Sequence, residues 1–194
     1  MKAPFAESGL PMKEQQTFRA SSSEIRDVFG RWLAAQCTAG VRLVVLEGLM
    51  GAGKSRLTEQ PFAIATGKAV NIELDGFLRK PVAPNTEYMD AMDIDAASAA
   101  IREAYRTATI VVAEGPMAWP VVQSIVQEIP SGEVRRAYLK RMSSNHPDLW
   151  HDGEFLYECE RPTIYGQSID RYHAHERPWL LADVVFERIG RDDE

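Results

Sequence analysis

The chain has 194 residues, 45% of them hydrophobic and 26% charged, a composition typical of one globular domain with a buried core. Its 28 acidic residues outnumber its 22 basic ones, and the formal charge of -6 argues against a protein that binds nucleic acid by neutralising many phosphates. Two cysteines, Cys37 and Cys159, favour a reducing cytoplasm over a disulfide framework, and no apolar run is long enough for a membrane span or a signal peptide.

The N-terminal region predicts a tail followed by an amphipathic helix. Residues 1–20 are polar, contain two prolines and show no hydrophobic period, so we expect a tail or an extended arm ahead of a single domain over 21–194. Ser21 and Glu24 fit a capping box, and the apolar residues that follow recur at helical spacing until Gly40 closes the segment. These apolar residues are Ile25, Val28, Phe29, Trp32 and Leu33.

A strand, a glycine-rich turn and a short helix are expected next. Apolar and β-branched residues over Val41–Leu46 predict a buried strand, and the glycine-rich segment Gly48–Ser55 follows it directly. A short helix is expected from Lys54, and Pro61 is expected to end or bend it. The stretch KAVNIELDGF predicts a second strand that ends at Asp75–Phe77, before a proline-rich loop.

The second half of the chain predicts an alternation of helices and strands. The segment DIDAASAAIREAYR is helical by propensity, and TIVVAEGP predicts a third buried strand. A helix over Val121–Gln127, a fourth strand in VRRAYLKRM and a fifth strand in ADVVFERIG complete the pattern. Such alternation is typical of right-handed β-α-β crossovers and predicts a mainly parallel, five-stranded sheet flanked by helices.

The segment Gly48–Ser55, which we call the glycine loop, satisfies the pattern G-x-x-x-x-G-K-[ST]. Glycines let successive backbone N–H groups turn inward around phosphate oxygens, and the N-terminus of the following helix adds a positive dipole end. Lys54 can reach the β- and γ-phosphates of a nucleotide, and the Ser55 hydroxyl can bind Mg²⁺. The sequence therefore predicts a nucleoside-triphosphate site formed by Gly48, Leu49, Met50, Gly51, Ala52, Gly53, Lys54 and Ser55.

Two carboxylates follow the second and third predicted strands, and a parallel sheet would bring both to the glycine loop. Asp75 suits a base that accepts the proton of an attacking hydroxyl, although an Asp-Gly pair is also typical of a plain turn. Glu114 suits a metal site, and a solvated or helix-capping glutamate is the alternative. The sequence lacks the pattern Asn-Lys-x-Asp by which GTPases read guanine, so phosphoryl transfer to an alcohol is favoured over a GTP switch.

Four further motifs, taken together, resemble those of P-loop small-molecule kinases of the uridine kinase and phosphoribulokinase branch. They are LDGFLRK with Asp75 and Phe77, DAMD with Asp90 and Asp93, VVAEG with Glu114 and Gly115, and RPWLLADVVFERIG with Pro178, Ala182 and Asp183. The matches follow the family order over residues 41–190, and only the glycine loop is specific on its own. The resemblance implies a three-layer P-loop NTPase fold.

The resemblance also implies a role for each site residue. Lys54 and the loop amides would hold the triphosphate of ATP, Ser55 would bind Mg²⁺ directly, and Glu114 would support the ion through water. Asp75 would orient or deprotonate the acceptor hydroxyl, so the catalytic set would be Lys54, Asp75 and Glu114. The acceptor would also be contacted by Phe77, Arg79 and Asp90.

The chain departs from the family pattern before the third strand and at its N-terminus, and several arginines could form the family's lid. AYRTATIVVAEG runs from helix to strand without room for the hairpin by which uridine kinases recognise the base, and this counts against a pyrimidine nucleoside as acceptor. The predicted helix at 22–37 also lies outside the family's minimal pattern. The family closes a basic lid over the phosphates, expected here within about 135–178. The lid candidates are Arg141, Arg161 and Arg171, beside Arg135, Arg136, Lys140 and Arg177.

Neither histidine-containing segment near the C-terminus predicts a metal site. NHPDLWHDGEFLYE matches no zinc spacing, and Pro147 interrupts any shared helical face. In DRYHAHERPW, His173 and His175 lie two residues apart, so on a helix they point to different faces. We expect both to be surface or lid residues.

We therefore expect an ATP- and Mg²⁺-dependent kinase that transfers the γ-phosphoryl group to a hydroxyl of a small molecule, without a nucleic-acid or membrane partner. The acceptor is left open among a nucleoside, a sugar, a vitamin precursor and an antibiotic, and so is the oligomeric state. ATP rather than GTP follows from the family and from the missing guanine motif. The alternative is a nucleotide-binding regulatory protein that hydrolyses its nucleotide slowly or not at all.

Overall fold

A computed structural model of the protein describes residues 15–59, 67–151, 153 and 161–190, and its central element is one sheet of six parallel strands. The strands are β1 (Gln16–Ser21), β2 (Leu43–Glu47), β3 (Ala69–Glu73), β4 (Ile110–Glu114), β5 (Val134–Met142) and β6 (Val184–Ile189). They lie in the order β1-β6-β5-β2-β4-β3, and every pairing is parallel. The carboxyl ends of the strands therefore share one edge, where open α/β sheets bind ligands.

Helices pack on both faces of the sheet. They are α1 (Ile25–Thr38), α2 (Lys54–Thr58), α3 (Tyr88–Ala91), α4 (Ile94–Thr107), α5 (Ala118–Val126), α6 (Ile164–Glu176) and α7 (Pro178–Leu181). Side chains alternate along β2: Leu43 and Val45 pack in one apolar cluster with α4 and α5, whereas Val44 and Leu46 pack in another with α1. Because β2 is buried on both faces, its sequence is continuously apolar up to Glu47.

The prediction of five strands was wrong, because β1 is a sixth strand of the sheet. Residues 16–20, expected to belong to a tail, form this strand, whereas residues 1–14 lie outside the described part of the chain. β1 pairs with β6, and the ring of Phe18 stacks on that of Phe186 with centroids 5.6 Å apart. As an edge strand it is largely exposed, so QTFRAS lacks the apolar run by which a central strand is recognised.

The second predicted strand ends earlier than expected. It ends at Glu73 rather than at Asp75–Phe77, because Leu74–Phe77 forms a 3₁₀ turn around the Asp-Gly pair. Glu73 and Asp75 are therefore not successive residues on one face of a strand, as extended geometry would have required. The first, third, fourth and fifth predicted strands occur as β2, β4, β5 and β6 with small differences at their ends.

The predicted helices also occur, and their ends have local causes. Asp93 caps α4, since its Oδ1 accepts a hydrogen bond of 3.1 Å from the backbone N–H of Ala96. Ahead of α1, the predicted capping box occurs only in part: Oε2 of Glu24 accepts from the backbone N–H of Ser21 at 3.4 Å, but the helix begins after Glu24 and no side chain caps its N–H groups. The effect expected of Pro61 falls outside the described residues. Within the described ranges, none of the helices has both the length and the apolar character that crossing a membrane requires.

Candidate functional site

The glycine loop leaves the carboxyl end of β2 and turns directly into α2. Gly51 and Gly53 have left-handed backbone conformations, with φ of +79° and +95°, which other residues rarely adopt. At Gly48, an added Cβ would lie only 2.6 Å from the carbonyl oxygen of Leu139 in β5. Two glycines are thus required by the turn and a third by the close approach of a neighbouring strand.

A cavity of about 250 Å³ brings the glycine loop together with both predicted carboxylates. Its lining includes Asp75, Glu114 and Pro116. The remaining described lining consists of Met50, Gly51, Gly53, Lys54, Ser55 and Arg56. Leu49 and Ala52 are instead buried in the protein, with exposed fractions of 2% and 0%. A lysine, a hydroxyl and two carboxylates therefore meet at the edge of the sheet formed by the carboxyl ends of its strands.

Lys54 is held by the loop that it terminates. Its ammonium group is mostly buried and donates hydrogen bonds to the carbonyl oxygens of Gly48 and Leu49, at 2.9 and 3.1 Å. These two hydrogen bonds compensate for the water that the buried ammonium group has lost.

Ser55 lies beside carboxylates from two neighbouring strands. Glu73 of β3 and Glu114 of β4 occupy paired positions, and the Ser55 hydroxyl donates to Oε1 of Glu73 at 3.1 Å. Burial raises the pKa of Glu114, and the charges of Glu73 and Asp75 raise it further. The nearby Lys54 charge and the Ser55 hydroxyl lower the same pKa. Oε1 of Glu114 is buried and has no hydrogen-bond partner among the described residues.

Asp75 lies in the 3₁₀ turn after β3 and is half-buried. Its Oδ1 accepts a hydrogen bond of 2.8 Å from the hydroxyl of Tyr88 in α3. Burial raises the pKa of Tyr88, and the charge of Asp75 raises it further, so this hydroxyl remains a donor. The ring of Tyr165 in α6 lies 5.4 Å from the ring of Tyr88. α3 and α6 therefore both contribute an aromatic ring to the surroundings of the Asp75 carboxylate.

Three other residues expected at the acceptor are absent from the described lining of this cavity. Phe77 is half-buried and packs against the apolar cluster beneath α4 and α5. Arg79 is exposed, and its backbone N–H bonds to the carbonyl oxygen of Ala91. Asp90 is exposed on α3. Their contact with an acceptor stays a prediction.

Among the lid candidates, Arg141 reaches the glycine loop: its Nη1 lies 3.9 Å from the position that a Cβ on Gly51 would occupy. Arg135 bonds to backbone carbonyls at the start of β5, which is the opposite edge of the sheet. The other two candidates of the predicted set form ion pairs, Arg161 with Asp170 at 2.9 Å and Arg171 with Glu87 at 2.7 Å.

Glu47 is a residue that the sequence did not predict at the site. It ends β2, immediately before the glycine loop, and is 2% exposed. Its Oε1 accepts hydrogen bonds from the backbone N–H of Trp119 at 3.1 Å and from the Tyr172 hydroxyl at 2.7 Å. Its Oε2 accepts one from Arg136 at 3.3 Å. Burial raises the pKa of Glu47, whereas these donors lower it. The carboxylate thus ties α5, α6 and β5 to the base of the loop.

The prediction that His173 is a surface or lid residue was wrong, because its side chain is fully buried on α6. Nε2 lies 2.8 Å from the carbonyl oxygen of Pro116, which can only accept, so Nε2 carries the proton. Nδ1 then accepts from the Tyr138 hydroxyl at 2.9 Å. Burial lowers the pKa of His173 to about 3, and the charge of Lys54 lowers it too, so the ring is neutral. His175 is exposed, as expected.

Comparisons with known proteins assign no family to the chain. No protein-family model matches it, and no curated protein matches it significantly. Among the residues that the structure describes, no three or more His, Cys, Asp or Glu side chains form a group that could hold a metal ion by themselves. A function must therefore be argued from the geometry of the cavity.

Proposed function

We propose that the protein is an ATP- and Mg²⁺-dependent kinase that transfers the γ-phosphoryl group to a hydroxyl of a small molecule. The observation that carries the proposal is the cavity in which the lysine and serine of the glycine loop meet Asp75 and Glu114. Transfer of a phosphoryl group to an alcohol needs a cradle for the triphosphate, stabilisation of its charge and a base for the hydroxyl. The cavity offers residues suited to each of these tasks.

The glycine loop suits a triphosphate. With left-handed conformations at Gly51 and Gly53, its backbone N–H groups can face a common anion, as in other anion-binding turns. Lys54 would exchange its hydrogen bonds to two loop carbonyls for contacts with the β- and γ-phosphates. Its ammonium group would then neutralise the charge that develops on the transferred group.

Ser55 and Glu114 suit a magnesium site, because Mg²⁺ prefers oxygen ligands and keeps several of its waters. The Ser55 hydroxyl is exposed in the cavity. Oε1 of Glu114 is buried and accepts no hydrogen bond from the described part of the chain. A water held by an ion at Ser55 would satisfy that oxygen. The chemistry that Mg²⁺ supplies when bound is neutralisation of the phosphate charge.

Asp75 is the residue we assign as base. The Tyr88 hydroxyl holds Oδ1, and we assign Oδ2 to the acceptor hydroxyl. Glu73 also lies near the loop, but it is absent from the described lining of the cavity, and we assign Glu114 to the magnesium site. A half-buried carboxylate at the cavity is positioned to take the proton as the hydroxyl attacks.

The fold is compatible with this proposal. The glycine loop follows β2, an inner strand with β4 and β5 as neighbours, and Glu114 ends the adjacent strand β4. Helices on both faces of an all-parallel sheet suit a three-layer P-loop NTPase, and we infer that class for the chain. Among such proteins, the kinases of the uridine kinase and phosphoribulokinase branch remain the ones we propose as relatives.

ADP release measured over a panel of hydroxylated metabolites tests the function. We expect Mg²⁺-dependent release that rises with one class of acceptor and is nearly abolished in Lys54→Ala. Lys68→Ala, which removes an exposed lysine ahead of β3, is the matched control and should turn over normally. Slow release that no acceptor stimulates would contradict the kinase and favour the regulatory alternative. Normal acceptor-dependent turnover in Lys54→Ala would exclude the glycine loop as the catalytic one.

A further inference from the structure

A second cavity, of about 130 Å³, adjoins the proposed catalytic cavity at Gly53 and Arg56, which line both. Half of its described lining residues belong to α1 and to the turn before it, which lie outside the pattern expected of the kinases. Its other polar lining residues are Ser22 and Ser23 in the turn between β1 and α1, Arg26 in α1 and Arg188 in β6. Among the described lining residues there are thus three arginines and no carboxylate.

The arginine from β6 lies close to the glycine loop. Arg188 is 4% exposed, and its Cζ and Nε lie 3.3 Å from the position that a Cβ on Gly53 would occupy. Its Nη1 donates to the hydroxyl of Ser22 at 3.4 Å, and that hydroxyl donates to the carbonyl oxygen of Ile189 at 3.1 Å. The turn between β1 and α1 is therefore bonded to β6, and the guanidinium group of Arg188 lies beside the glycine loop.

The chemistry of this lining favours an anion with many acceptor atoms. A guanidinium group carries five N–H donors and no acceptor, and its fork matches the geometry of phosphate oxygens. Arg26 also lies in the first turn of a helix of 14 residues, where the positive dipole end disfavours a cation. An anion between the arginines would offset that repulsion. Serine hydroxyls can donate to the same oxygens.

We propose that the cavity lined by Ser22, Arg26, Arg56 and Arg188 binds a phosphate group, separately from the triphosphate cradle at Lys54. Its volume of about 130 Å³ is about half that of the catalytic cavity, which suits one such group better than a whole nucleotide. The phosphate belongs either to a free anion or to a nucleotide held at the glycine loop, because the two cavities adjoin at Gly53. The case in which the phosphate belongs to a nucleotide rests on the proposed function, whereas binding of a free anion does not.

Binding of inorganic phosphate to the full chain, measured by calorimetry, tests the free anion. Lys54→Ala serves as the background, since it weakens the cradle. In this background we expect Arg26→Ala to weaken phosphate binding about tenfold or more, because a charge-assisted pair is lost. Arg26→Gln, which keeps a polar side chain at the helix start, should show the same loss. Arg31→Ala, which removes an exposed arginine of the same helix, should leave the affinity unchanged.

Binding of ATP to the same variants with Lys54 intact tests the nucleotide. If the phosphate is part of ATP, both Arg26 variants should weaken ATP about tenfold, while Arg31→Ala should not. Folded Arg26 variants that bind both inorganic phosphate and ATP as their parents do would overturn the second site. An equal loss of affinity in Arg31→Ala would also overturn the second site. Failure of the wild-type chain to bind ATP contradicts the kinase instead, and it leaves the result with inorganic phosphate decisive for this cavity.

Discussion

The hydroxyl of Tyr88 donates a hydrogen bond of 2.8 Å to Oδ1 of Asp75, and this bond orients the carboxylate that we assign as the base. Asp75→Asn preserves the shape of the side chain but removes its ability to take a proton. General-base assistance contributes about 10²- to 10⁴-fold, so we expect kcat to fall by about that factor. The affinity for ATP should change little, because in the proposed function Lys54 and the loop amides hold the triphosphate. Acceptor-dependent turnover and ATP binding, measured in parallel, check both expectations.

Tyr88→Phe is the matched comparison for Asp75→Asn. It keeps the ring that packs against Tyr165 and removes only the hydrogen bond, so turnover should fall less than in Asp75→Asn. Unchanged turnover in Asp75→Asn would eliminate Asp75 as the base. Loss of ATP binding in that variant would assign Asp75 to the metal or to the structure of the site.

Gly53→Ala should destabilise the glycine loop. A φ of +95° disfavours alanine, and the new Cβ would lie 3.3 Å from the guanidinium group of Arg188. A left-handed conformation costs roughly 1–2 kcal/mol for a residue other than glycine, so the free energy of unfolding should fall by at least that amount. Urea titration measures it. Gly132→Ala, where nothing lies within 4 Å of the new Cβ, should stay within about 0.5 kcal/mol of the wild type. Equal effects of the two substitutions would contradict a strained turn at Gly53.

Tyr172→Phe should destabilise the protein through Glu47. The substitution removes a donor to a carboxylate that is only 2% exposed, so bulk solvent does not replace the lost bond directly. A hydrogen bond to a charged group contributes about 1.5–3 kcal/mol, and we expect a loss of that size in urea titration. Tyr105→Phe removes a hydroxyl that bonds to Glu133 in a less buried setting, so its cost should be smaller. A larger cost for Tyr105→Phe would argue against the Glu47 network as a support of the fold.

His173 should make the protein less stable in acid. Its pKa is about 3 in the folded protein, against an ordinary value of 6.5. Between these two values the unfolded chain binds a proton that the folded protein does not, so stability falls as the pH falls through this window. One such group accounts for a loss of about 1.7 kcal/mol between pH 6.5 and pH 5. Chemical denaturation at both pH values should show this loss in the wild type and a smaller one in His173→Gln. Identical pH dependence would exclude His173 as its source.

The glycine loop could be predicted because its chemistry is local in the sequence. The spacing of Gly48, Gly53 and Lys54 reflects what a tight turn between a strand and a helix requires. Alternating helices and strands indicated parallel pairing, and parallel pairing brings Asp75 and Glu114 to the edge of the sheet from which the loop starts. Both inferences needed only short segments and a rule of topology.

β1, Glu47 and His173 could not be predicted, because each depends on contacts that are distant in the sequence. β1 carries exposed polar residues, and Arg19 in it lies opposite Glu187, 168 residues further on. Glu47 is a carboxylate at the end of an apolar strand, and its donors come from α5, β5 and α6. The spacing of His173 and His175 separates two helix faces, but only the packed structure shows which face is buried.

The pairing of β1 with β6 also means that the N-terminal elements cannot finish packing until the end of the chain has been synthesised. Phe186 in β6 contacts three aromatic rings of the N-terminal elements, those of Phe18, Phe29 and Trp32. At about 5–20 residues per second, the ribosome makes Phe186 roughly 8 to 34 seconds after Phe18, and until then these rings lack their shared partner. The nascent chain carries this apolar surface throughout that interval, and such surface is what chaperones bind. The elements of this protein that are made early are therefore among the last to be covered.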